Sequence, residues 1–127
     1  MAKALLVTID IPMGSKILHV LDEAGVKPSV FLWGYLADYD DWRLLIASKQ
    51  LDAAGKHDGY GRVNKAIRSS GIGGWELPSL MIMSMNDPFI RELRKLFGKT
   101  GNVEGMRVGG QTFGSRYIED GYVYRIV

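Results

Sequence analysis

The chain has 127 residues, 46% hydrophobic and 24% charged, a length and balance that predict one folded domain spanning residues 1–127 with enough buried surface to need no disulfide or metal staple. It contains no cysteine, which excludes disulfide frameworks and thiolate zinc sites and suits a reducing cytoplasm. Sixteen basic residues against 14 acidic ones give a net charge of +2, too small an imbalance to imply nucleic acid by itself, so the placement of charge matters more than its total.

Residues 3–9, rich in Leu, Val, Thr and Ile, read as a strand. The apolar run meets Asp10 and Pro12 too soon to be the centre of a signal peptide, and no apolar stretch approaches the roughly 18 residues of a membrane span, so neither secretion nor membrane insertion is expected. Ile17, Leu18, Leu21 and Ala24 recur at helical spacing, with Pro12 at an early helical position and Gly25 where a left-handed terminator belongs. They predict a helix over 13–24.

Val30–Leu36 and residues 42–47 are β-prone runs joined by Asp38, Tyr39, Asp40 and Asp41, which is hairpin chemistry. In the first run both alternating sets are apolar, Val30, Leu32 and Leu36 against Phe31, Trp33 and Tyr35, so both faces of that strand need cover. Residues 49–57 read as a loop leading to Asp58, an N-cap for a helix bearing Tyr60, Val63 and Ile67. Gly71 to Gly74 has loop composition.

Residues 80–84 read as a buried strand, and Asn86, Asp87 and Pro88 open a helix that Gly98 ends. On that helix Phe89, Ile90, Leu93, Leu96 and Phe97 hold one arc, while Arg91, Arg94 and Lys95 hold another. Residues 106–111 and 117–126 read as a closing hairpin around Gly114-Ser115, with Asp120-Gly121 as a competing turn or bulge. The order β, α, β, β, α, β, α, β, β predicts an α+β fold, a mixed and largely antiparallel sheet of about five or six strands packed with three helices.

Chemistry-bearing patterns are sparse. His19 and His57 stand without paired-ligand spacing. Asp38, Asp40 and Asp41 offer oxygen ligands to a hard cation, but the glycine and glutamate of a calcium loop are missing, and aspartates equally serve a tight turn. The second strand of the hairpin has no acidic residue two before Lys49, so the signature of a metal-dependent nuclease is lacking. Gly71-Ile72-Gly73-Gly74 and the stretch from Gly109 to Gly114 match neither dinucleotide-binding nor phosphate-loop spacing, and no GxSxG is present. No catalytic residue, metal or cofactor is implied.

Two constellations remain. Arg62 and Lys65 on the second helix, with Arg91, Arg94 and Lys95 on the third, form one phosphate-binding surface if both helices lie on the same side of the sheet. The aromatic set Phe31, Trp33, Tyr35 and Trp42, with Gln111 and Arg116 of the closing hairpin, forms a candidate ligand pocket or subunit interface. Three helices over a sheet with two apolar faces leave surface for a second copy of the chain to cover, which predicts a homodimer.

Leu21-Asp22-Glu23-Ala24-Gly25, the run from Asp41 to Ser48, Asn86-Asp87-Pro88-Phe89-Ile90-Arg91 and the ending from Tyr117 to Ile126 resemble a group of small uncharacterised bacterial proteins. A more distant resemblance is to small proteins carried by mobile gene cassettes. The resemblance implies a bacterial cytosolic origin and brings no activity, cofactor or catalytic residue with it. The expectation is a non-enzymatic, dimeric binding or accessory protein with a protein or small-molecule partner. The alternatives are a nucleic-acid-binding protein using the basic helix faces, and an enzyme whose pocket is assembled from distant residues.

Overall fold

The computed structural model describes residues 11–72 and 78–127, and the strand expected at 3–9 lies outside them. The fold is α+β, with ten elements among the described residues: α1 (Ile11–Glu23), β1 (Val30–Leu36), β2 (Asp41–Ala47), α2 (Lys49–Ala54), α3 (Lys56–Ser69), β3 (Leu80–Met83), α4 (Pro88–Phe97), β4 (Arg107–Val108), β5 (Gln111–Phe113) and β6 (Arg116–Ile126). The strands form one six-stranded sheet in the order β3-β2-β1-β6-β4, with β5 also on β6. Among the described strands only β2 and β3 pair in parallel. No helix among the described residues is long and apolar enough to cross a membrane.

All seven residues of β1 are buried, because the strand lies between β2 and β6 and both of its faces are covered. Phe31, Trp33 and Tyr35 point into a core made with α1, α2 and α3, where Ile17, Leu21, Leu51, Val63 and Ile67 pack. Val30, Leu32 and Leu36 point the other way, into a core made with α4 through Phe89, Ile90 and Leu93. Both faces of β1 are thus covered by helices of the same chain.

The first hairpin is regular from Val30 opposite Ala47 to Leu36 opposite Asp41. Its turn closes through the amides of Tyr39 and Asp40 on the Leu36 carbonyl, and the Tyr35 hydroxyl donates to Asp40 at 2.7 Å. Against β6 the register slips twice. Phe31 faces Arg125 but Leu32 faces Val123, so Tyr124 is an extra residue, and Glu119 is a second one between the partners of Tyr35 and Leu36. The first bulge turns two successive side chains, Tyr124 and Arg125, toward α1, where Tyr124 reaches the Ile11 carbonyl and Arg125 reaches Asp22.

Three sequence expectations need correction. Residues 49–57 are not a loop: Ser48 caps α2 by accepting from the amides of Gln50 and Leu51, and one buried side chain, Leu51, anchors that short helix. Asp58 is not an N-cap, because Gly55 at φ +88 ends α2 and starts α3 at Lys56, leaving Asp58 in its first turn. The strand expected at 106–111 is two strands, β4 and β5, laid end to end along β6 and parted at Gly109, where a Cβ would come within 2.8 Å of the Glu119 carbonyl. Asp120-Gly121 lies inside β6, and the turn is Gly114-Ser115, with Phe113 opposite Arg116.

Candidate functional site

Parallel neighbours β2 and β3 are each followed by a helix, and the two helices leave on opposite sides of the sheet. After β2 the chain enters α2, whose Leu51 joins the core shared with α1 and α3. After β3 it crosses to α4 and the opposite core. Adjacent parallel strands whose connections diverge leave a crevice beyond their carboxyl ends, the recurrent ligand position of open α/β sheets.

A cavity of about 560 Å³ runs along β3 and past its carboxyl end, floored by Leu51, Met81, Ile82 and Met83 and edged by Asp52, Ser84, Asn86, Asp87 and Arg116. Asp52 Oδ2 accepts from the Met85 amide at 2.9 Å and from the Ser84 hydroxyl at 3.4 Å, tying α2 to the segment after β3. Ser84 in turn accepts from the Asn86 amide at 3.0 Å. Asp87 caps α4, accepting from the Phe89 amide at 2.9 Å with Pro88 in the first turn.

Arg116 comes from the far end of the sequence. Gly114 permits its approach: at φ +62 it packs against the first turn of α4, where a Cβ would stand 2.7 Å from the Pro88 carbonyl carbon. The Arg116 guanidinium lies 3.7 Å from Asp38, beyond hydrogen-bond length, and the Asp38 side chain is 76% exposed. Its planar fork therefore remains available for a carboxylate or phosphate. The same cavity lining holds that cation together with the carboxylates of Asp52 and Asp87 and with Asn86.

The other sequence candidates fall elsewhere. Phe31, Trp33, Tyr35 and Trp42 are 0%, 4%, 3% and 5% exposed. As part of the core beneath α1 and α3 they are packing residues within one chain, and the surface expected of them is absent. Gln111 is exposed on β5 and does not edge the crevice. Arg62 and Lys65 stand on α3 and Arg91, Arg94 and Lys95 on α4, and these helices cover opposite faces of the sheet. The single basic surface does not form; Arg94 instead donates to the Val127 carbonyl at 2.8 Å.

His19 pairs with Glu23 one turn along α1 at 2.6 Å, with both side chains exposed. Among the acidic turn residues, Asp40 accepts from Tyr35, Asp41 accepts from the Trp42 amide, and Asp38 faces Arg116. Among the described residues no group of three or more His, Asp or Glu is arranged to hold a metal ion.

In the sequence Asn86-Asp87-Pro88 has the pattern of a helix start alone, and nothing local marks Asp52 or Ser84. The available signal was a strand feeding a capped helix; the parallel pairing of β2 with β3 is tertiary information. In comparisons with protein-family models, with curated proteins and with solved structures, nothing matches this chain.

Proposed function

We propose that the protein acts by binding, and that its ligand is a small polar molecule carrying an anionic group, held in the crevice beyond β2 and β3. The observation that carries this reading is the coincidence of a topological switch point with a cavity of about 560 Å³ edged by Arg116 and by Asp52, Ser84 and Asn86. Arg116 supplies a bidentate partner for the anion, while Asp52 and Asn86 meet hydroxyl or amino groups on the remainder of the ligand. Attachment of the crevice residues to three separate parts of the fold, α2, the segment leading into α4 and the start of β6, makes ligand binding a brace across the fold.

The test is thermal stability of the full chain against amino acids, hydroxycarboxylates, sugar phosphates and mononucleotides. At least one class is expected to raise the melting temperature in a concentration-dependent way, as any native-state ligand does. Arg116→Ala should abolish the shift with little change in the unliganded melting temperature. The reading fails if no class raises it at millimolar concentration, or if Arg116→Ala leaves the shift intact.

A further inference from the structure

A second cavity, independent of the crevice, runs between α1 and α3. We infer that it docks an acidic amphipathic segment of a partner protein. The groove measures about 510 Å³ and has an apolar floor of Val20, Ala24, Val26 and Ala66. Arg62 and Lys65 of α3 rise along one side, and Glu23 of α1 stands on the other.

The helix geometry explains why such a groove exists. On α3, Val63 and Ile67 are fully buried against the sheet, while Arg62, Lys65, Ala66 and Ser69 recur at spacings of three and four and form a separate stripe turned toward α1. The small side chains Ala24 and Ala66 leave the space between the helices open. A partner helix laid into it would place its apolar residues on that floor, the recurrent helix-in-groove mode of recognition.

The charge pattern specifies the sign of the partner. Arg107 and Arg125 are each hydrogen-bonded to a carboxylate of this chain, Asp120 and Asp22. Arg62 and Lys65 have none among the described residues, and the contact of Arg62 is a Gln50 carbonyl at 3.4 Å. On the opposite side Glu23 is held by His19 at 2.6 Å. Two unpaired cations above an apolar floor favour a segment with leucine-like residues on one face and Asp or Glu on its flank. A nucleic acid fits less well: it gains nothing from the apolar floor, Glu23 repels its phosphates, and the α4 cations that would extend the contact lie across the sheet.

The experiment uses a fluorescein-labelled helical peptide with leucines at i, i+3, i+4 and i+7 flanked by glutamates, its counterpart with lysines for glutamates, and a single-stranded oligonucleotide. Anisotropy with the full chain should show saturable binding of the acidic peptide, weakened roughly tenfold or more by R62E/K65E and unchanged by R91E/K95E. Amide NMR shifts on the unaltered chain should then map to Val20, Ala24 and Ala66, which keeps the test independent of how the variants fold. The proposal is overturned if the acidic peptide fails to bind at millimolar concentration, if the basic peptide or the oligonucleotide binds as well or better, or if R62E/K65E binds the acidic peptide undiminished.

Discussion

Trp33 and Tyr124, 91 residues apart, meet beneath α1: the indole N–H donates to the tyrosine hydroxyl at 3.0 Å, and that hydroxyl donates to the Ile11 carbonyl at 2.7 Å. One oxygen thereby joins β1, β6 and the start of α1. Tyr124→Phe removes the acceptor while the indole stays buried, so the variant should lose about 1–3 kcal/mol. Urea unfolding followed by tryptophan fluorescence measures this, and an unchanged midpoint would remove the linkage.

The same tyrosine explains Gly14. Alanine inside a helix is favoured over glycine by about 1 kcal/mol, but a Cβ at Gly14 would overlap the Tyr124 hydroxyl and ring. Gly14→Ala should therefore destabilise the protein despite its better helix propensity. Combined with Tyr124→Phe the loss should be less than the sum of the two, since both changes act at one contact.

Asp22 and Arg125 form a two-pronged pair at 2.8 and 2.9 Å between α1 and β6. The hydrogen bonds to Arg125 hold the Asp22 carboxyl below its ordinary value of 3.8, against the opposing effect of burial. A carboxyl depressed in the folded state stabilises the protein fully above its unfolded value, and the contribution is lost as pH falls through the folded one. Asp22→Asn should be less stable than the parent by about 1 kcal/mol at neutral pH. The difference should shrink as pH falls through 3.8 toward the lower folded value. Paired denaturation curves across pH check both parts.

Ser48 serves two elements at once. Its hydroxyl oxygen accepts from the first amides of α2, and its hydroxyl proton goes to the Val26 carbonyl at 2.6 Å in a fully buried position. Ser48→Ala should cost about 1–2 kcal/mol. Because α2 carries Asp52, the variant should also weaken ligand binding in the crevice, a coupling that calorimetry on the variant would measure.

The first hairpin and α4 were legible in the sequence because their signals are local: two apolar runs around an aspartate turn, and an Asp87-Pro88 cap before an apolar arc. Helix α2 was not, since one buried leucine gives no periodicity and only the Ser48 cap marks its start. The aromatic stripe of β1 looked available to a partner, yet a stripe buried by helices of the same chain and one buried by a second copy have the same sequence. The cations of α3 and α4 read alike along the chain and were separated by the crossing from β3 to α4. The crevice was least legible, because Asp52, Ser84 and Arg116 are brought together by the parallel pairing of β2 with β3 and by the close approach of Gly114 to Pro88.

An amide NMR titration of the full chain with the compound class that raises its melting temperature tests the crevice most directly. The largest shifts should fall on Asp52, Ser84, Asn86 and Arg116, and should vanish in Arg116→Ala while the rest of the spectrum is retained. Shifts centred on the α1–α3 groove, or spread over the surface without reaching Ser84 and Arg116, would contradict the assignment of the ligand to the end of β2 and β3.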